Sequence, residues 1–177
     1  STWPSRRTSR PWWFAHAPTF PHVANRCDIA PSSESARVSC YDFGMAVTEI
    51  IDVRTTTRAE TIDITSLVRA AVKRSGVDDG IAVVFCKHTT AGLTIQENND
   101  PAVKAALIAH LAEAVPHGAG AVSAATNADA HVKASLIGAS LGLVVEAGKP
   151  VLGTWQAIYF CEFDGPRNRQ VLVKVVG

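Results

Sequence analysis

A chain of 177 residues holds one domain with room for an appended segment. Hydrophobic residues make up 47% of it, enough for a packed core, and 17 basic residues stand against 16 acidic ones for a formal charge of +1. That balance lacks the basic field that binding nucleic acid requires, and no apolar run reaches the length of a membrane span.

Residues 1–44 differ in character from the rest. They hold Trp3, Trp12 and Trp13, five of the nine prolines, and Arg6, Arg7, Arg10, Arg26 and Arg37, with few acidic residues and no sustained period. The only methionine, Met45, stands where regular patterning begins. The expected division is a disordered or upstream extension over 1–44 and a folded domain over 45–177. An Arg- and Ser-rich, acid-poor segment also has the composition of a transit peptide. Proline and tryptophan at this density oppose an amphipathic targeting helix, so the expected compartment is the cytoplasm. Cys27, Cys40, Cys86 and Cys161 show neither CxxC pairing nor zinc spacing, and read as free thiols in a reducing compartment.

Val47 to Val53 reads as a strand, and Thr61 to Ile64 as a second. Thr65 or Ser66 caps a predicted helix carrying Leu67, Val68, Ala71 and Val72, which stops at Gly76. Gly80 to His88 is strand-like, and Leu93 to Gln96 continues after a bend at Ala91-Gly92. Asp100-Pro101 starts a helix, because Asp caps the first free N–H groups and Pro has none to leave unpaired. Val103, Leu107, Leu111 and Ala114 mark one face of it, and Pro116 closes it. Gly118 to Ala128 is a loop, and Ala130 to Ala139 a short helix. Leu141 to Val145 and Val151 to Gly153 flank a hairpin turn at Ala147-Gly148. Ile158 to Phe163 is a strand, Asp164-Gly165-Pro166 a turn, and Val171, Val173 and Val175 mark a closing strand. Strands dominate and helices are inserted among them, which is an α+β order and not a βαβ series.

Four histidines lie in the patterned region. His110 is a helix-face residue and His117 follows the helix end. His88 closes a strand in KHTT, and His131 lies in NADAHVKAS between Asp129 and Lys133. Neutral imidazole binds divalent metals and a carboxylate nearby can orient it, but a satisfied structural histidine is the commoner case. Glu97 reads either as a solvated carboxylate near a helix start or as a ligand or base beside His88. In GTWQ, Trp155 is either a buried residue at a bulge or a stacking wall, with Gln156 as a donor. Arg167 and Arg169 stand on the FDGPRNR turn, as a solvated tip or as phosphate-binding arginines. Taken alone these residues describe an α+β domain with a polar pocket.

Three segments together, HTTAGLTIQENNDP, DAHVKASLIGASL and GKPVLGTWQAIYFCEFDGPR, resemble the YjbQ family from about Met45 to the C-terminus. The resemblance implies a compact α+β domain built on a β-sandwich, with two or three helices and assembled as a homotrimer. It implies a weak thiamine-phosphate synthase activity, joining a hydroxymethylpyrimidine diphosphate to a thiazole phosphate, and a divalent metal (Zn or Mg) held by histidines. Carried onto this chain, the metal ligands are His88 and His131. The resemblance also falls on Glu97, Trp155, Gln156 and Arg167, and in a mechanism that fits it Glu97, Lys133 and Arg167 are expected to serve catalysis, while Thr89, Thr90, Asn98, Trp155 and Gln156 are expected to contact a small phosphorylated substrate. A further family histidine falls on Ser123 here, which leaves two of three ligands, with His117 or Glu97 as substitutes. The rival expectation is a non-catalytic trimeric module binding a metal or an anion. No nucleic acid or membrane partner is expected.

Overall fold

A computed structural model describes residues 38–43, 46–118 and 127–177. These form β1 (Val38–Phe43), β2 (Ala46–Arg54), β3 (Glu60–Asp63), α1 (Thr65–Ser75), β4 (Gly80–Cys86), β5 (Ala91–Glu97), α2 (Pro101–Ala114), α3 (Ala128–Ile137), β6 (Ser140–Glu146), β7 (Lys149–Pro150), β8 (Gln156–Glu162) and β9 (Asn168–Val176). One sheet has the order β1-β2-β9-β4-β6-β7, the other β3-β8-β5, and the pairings are antiparallel. The α+β class holds. The segment read as an extension contributes β1, whose backbone pairs along β2 from Val38↔Ile51 to Phe43↔Ala46. Ladder bonds need no side-chain period, so its sequence carried no strand signal. The remainder of 1–44, and Met45, lie outside the described residues.

The inner face of the large sheet is built by simple alternation. Ala82, Val84 and Cys86 of β4 point inward, and register sets them against Val175, Val173 and Val171 of β9. Val68, Ala71 and Val72 of α1, spaced three and four residues apart, bury against the same core. Leu93, Ile158 and Phe160 supply the opposing wall from the small sheet. Fully burying such a side chain contributes about 1.5–3 kcal/mol. Strand β8 is buried on both faces: Cys161 and Phe163 pack beneath α2 and α3 against Ile108, Leu111, Ala130 and Ala134. That double burial explains why the run from Ala157 to Phe163 is continuously apolar apart from Glu162.

Two end signals behave as their chemistry predicts. The Asp100 carboxylate accepts from the Ala102 N–H at 2.8 Å, ahead of Pro101, and Gly76 ends α1 at φ 71°, where only glycine is unstrained. The start of α1 differs. Asp63 accepts from the Thr65 N–H, and the Thr65 hydroxyl instead accepts from the Ile158 N–H at 2.8 Å, tying the helix to β8. The second arm of the hairpin after β6 is β7, Lys149 and Pro150, and not the expected Val151 to Gly153, which lies outside any strand although the Val151 N–H still bonds the Val144 carbonyl at 2.8 Å.

Gly92 sets the distance between β5 and α3. A Cβ there would sit 2.8 Å from the Gly138 carbonyl and from Ile137 Cγ2, and the neighbouring Leu93 N–H bonds that carbonyl at 2.9 Å. Gly92→Ala is therefore expected to cost about 1–3 kcal/mol in urea unfolding by forcing α3 away. An unchanged midpoint would show that α3 can move freely.

Candidate functional site

The loop 87–90 leaves β4 and passes α3, and a cleft of about 610 Å³ opens between them. Lys87, His88 and Thr89 form one wall, His131 and Ser135 the other, and Cys86, Ala91 and Ala134 lie at its base. Three expected site residues, His88, Thr89 and His131, thus meet in one place. Among the described residues, the lining includes no carboxylate.

His88 is held from behind. Its Nε2 accepts the Gln170 backbone N–H at 2.8 Å. A backbone N–H only donates, so the neutral ring carries its proton on Nδ1. Burial first, then the positive charges of Arg169 and Lys87, hold its pKa below the ordinary imidazole value. His131 is exposed on α3, one turn before Ser135, whose hydroxyl donates to the His131 carbonyl at 2.9 Å.

Beneath His88 lies a buried polar network that the sequence reading missed. Arg169 donates to both Glu162 oxygens at 2.6 Å and to the Thr90 hydroxyl at 2.8 Å. Glu162 also accepts from the Thr55 hydroxyl at 3.2 Å and from the Phe163 and Asp164 N–H groups at 3.1 and 3.0 Å. Thr90, expected to touch substrate, is instead buried as part of this scaffold. Arg169, read as a solvated or phosphate-binding turn residue, is internal.

A second cluster pins the start of α3. Lys133 Nζ meets Asp129 at 2.8 Å, Arg58 meets the other Asp129 oxygen at 3.0 Å, and His117 lies 3.1 Å from it. Burial alone would raise the Asp129 pKa, but hydrogen bonds from Lys133 and His117 and the charges of Lys133 and Arg58 bring it down to about 2. Arg167 donates to Asp164 at 2.8 Å, and Asn127 and Arg58 converge on the same carboxylate. Lys133 and Arg167, expected in catalysis, are thus engaged by carboxylates, and neither lines the cleft.

Glu97, Asn98, Trp155 and Gln156 gather at the other end of β5. Glu97 pairs with Gln156, and the Asn98 N–H donates to the Trp155 carbonyl at 2.9 Å. The Tyr159 hydroxyl donates to Asn98 at 3.1 Å, and Gln156 accepts from the Gly153 N–H at 2.8 Å. Trp155 is exposed, not the buried bulge residue of the plainer expectation. At about 3.4 Å per residue, seven strand residues span roughly 20 Å, which separates this group from the His88 end.

These positions test the expected metal. Among the described residues, no group of three or more histidine, cysteine, aspartate or glutamate side chains is arranged to hold an ion. The lone pair of His88 is taken by Gln170, which leaves His131 as the one free imidazole in the cleft. His117 is bound into the Asp129 cluster, Glu97 is at the far end, and Ser123 lies outside the described residues. The described residues therefore do not fit a divalent ion shared by His88 and His131, since catalytic zinc takes three protein ligands. A separate depression of about 620 Å³ between α1 and the Ala147-Gly148 turn contains none of the expected site residues.

Residues 49–177 match the model of a family described as UPF0047 protein YjbQ-like. A UPF0047 protein of Methanocaldococcus jannaschii is 47% identical over 125 residues, spanning 71% of this chain and 91% of its own length. The UPF0047 protein YugU of Bacillus subtilis is 45% identical over 134 residues, spanning 72% of this chain and 97% of its own. Among solved structures, an uncharacterised conserved YjbQ/UPF0047 protein of Clostridium acetobutylicum is 50% identical with a TM-score of 0.70, covering 72% of this chain and 98% of that one. A YbjQ-like protein of unknown function from Sulfolobus solfataricus is 31% identical with a TM-score of 0.72, covering 75% and 97%.

Proposed function

We propose, for a chain that belongs to the YjbQ-like UPF0047 family, that the His88 cleft binds a small phosphorylated substrate and supports a weak transfer reaction of the thiamine-phosphate synthase type. One observation carries this reading. The cleft presents the Lys87 ammonium, the His88 Nδ1–H and the Thr89 hydroxyl on one wall, with no carboxylate among the described lining residues to repel an anion. Lys87 has no ion-pair partner among the described residues, so its charge is available.

In the transfer, the C–O bond between the pyrimidine methylene and the diphosphate breaks, and its electron pair leaves with pyrophosphate. The thiazole nitrogen supplies the pair for the new C–N bond. No strong base is needed; the requirement is to stabilise negative charge growing on the leaving oxygens, which fixed donors in a partly dry site do well. Lys87, His88 and Thr89 take that part here. Lys133 and Arg167 act through structure, by holding α3 and the 164–167 turn. Trp155, Asn98 and Gln156 are too distant to stack on a substrate in the same chain's cleft. An assembled trimer is the setting in which they would meet one, that of a neighbouring copy.

Homotrimerisation is part of the same proposal. Ile81, Val83, Phe85, Val144 and Val176 all project from the uncovered face of the large sheet, and Phe85 also lines the cleft. An apolar strip of this kind calls for a cover, and a second copy is the occupant that the family resemblance implies.

The test is direct. Pyrimidine diphosphate and thiazole phosphate are incubated with the parent protein and with Lys87→Ala, and thiamine phosphate is quantified. Product from the parent, reduced about tenfold or more in the variant, supports the reading. Tight diphosphate binding with no product would instead favour the non-catalytic anion-binding module.

A further inference from the structure

We infer that His88 is a fixed hydrogen-bond donor that recognises a ligand oxyanion through Nδ1–H, and not a metal ligand. This rests on the cleft being the binding site and is independent of the transfer chemistry.

The geometry behind the ring carries the inference. The Gln170 N–H fills the Nε2 lone pair at 2.8 Å, so in the neutral ring Nδ1 must hold the proton. A metal at Nδ1 would require removing that proton to leave an imidazolate, and a metal at Nε2 would leave the Gln170 N–H unpaired. Gln170 has little freedom to move away. Its backbone lies in β9, which pairs with β2 on one side and β4 on the other, through Asp52↔Gln170 and Cys86↔Val171. Its side chain donates to Asp52 at 2.9 Å. The preceding residue, Arg169, is anchored by the buried bonds to Glu162 and Thr90. Strand β9 is therefore a rigid backing, and it sets the tautomer of His88.

The front of the ring agrees with the back. Lys87 and Thr89 flank it in the lining, and among the described residues no carboxylate does. A divalent cation would find positive charge and donors there, whereas a phosphate or pyrophosphate oxygen would find three groups able to donate to it. The ligand class that this wall selects is an oxyanion.

The full chain, with 15N-labelled histidine, answers the question by two-bond 1H–15N correlation spectroscopy, which distinguishes the two tautomers. The expected spectrum shows His88 as Nδ1–H, with ring signals that move on adding inorganic pyrophosphate and stay fixed on adding zinc. Isosteric substitutions give a second readout by calorimetry with pyrophosphate. An asparagine amide nitrogen occupies the Nδ1 position and a glutamine one the Nε2 position. His88→Asn should bind within about threefold of the parent, while His88→Ala and His88→Gln should bind about tenfold or more weakly. An Nε2–H tautomer, a zinc-dependent change at His88, or an asparagine variant as weak as alanine would overturn the inference, as would a parent that does not bind pyrophosphate. Should the alanine variant not fold, the parent's spectrum still decides. A parent that binds pyrophosphate through His88 but forms no thiamine phosphate removes the transferase reading and leaves this one standing.

Discussion

Arg169→Met is expected to destabilise the fold by about 3–5 kcal/mol, because it strands a buried charge. Glu162 is fully buried, and Arg169 supplies two of the bonds that satisfy it. Burial by itself would raise the Glu162 pKa, but the hydrogen bonds from Arg169 and from the Asp164 and Phe163 backbones, with the Arg169 charge, hold it below the usual carboxylate range. In the parent the folded pKa is thus lower than the unfolded one. The pair's contribution is present above the unfolded value, near 4.3, and is lost as pH falls through the folded value. In Arg169→Met the cation is gone and burial dominates, so the folded pKa moves above the unfolded one. That variant is relieved by acid, and its deficit deepens as pH rises through the new folded pKa. Urea unfolding at about pH 7 and about pH 4.5 should therefore show a gap between parent and variant that narrows at the lower pH. A loss under about 1 kcal/mol at both values would mean that the pair is solvated and the network beneath His88 is not a scaffold.

This pair also shows where the sequence was legible and where it was not. Strands β4 and β9 announce themselves by alternation, and β8 by its unbroken apolar run. The phase of β9 even contained the answer for Arg169: counted back from Val175, Val173 and Val171, residue 169 falls on the inward face. Its position next to a Gly-Pro turn suggested a solvated tip and hid that signal. Its partner Glu162, like the partner of Arg58, is set by the fold, whereas Lys133 meets Asp129 one turn away on its own helix. Arg58 and Asp129 are 71 residues apart in sequence, and no local pattern pairs them.

Proximity along the chain misled in the opposite sense for Glu97. Nine residues after His88 reads as near, yet an extended strand carries it to the other end of the sheet. The shared cleft of His88 and His131 became visible only through three motifs taken together, because each histidine alone is compatible with a structural role.

Val83→Asp is expected to break the proposed trimer into monomers while leaving the fold of each copy nearly as stable as before. Val83 stands at the centre of the exposed apolar strip. Register places Lys174 and Gly142 directly beside it, with Ile81 between Val176 and Val144 on one side and Phe85 between Leu172 and Ser140 on the other. Gly142 leaves open space above the sheet, so a partner can approach the backbone closely there. An aspartate at position 83 has a cation across the strand in Lys174, and the site is solvent-exposed in the single chain, so the folding cost should stay within about 0.5 kcal/mol. In an assembly the same carboxylate would be carried into an apolar contact, where removing it from water costs several kcal/mol per copy. Folding and association therefore separate in this one substitution. Sedimentation at micromolar concentration should give the parent about three times the 18.8 kDa chain mass and the variant about one. A parent that sediments as a monomer ends the trimer proposal. A variant that stays trimeric moves the interface off this sheet face, and the neighbouring copy then has no route through Phe85 to the cleft.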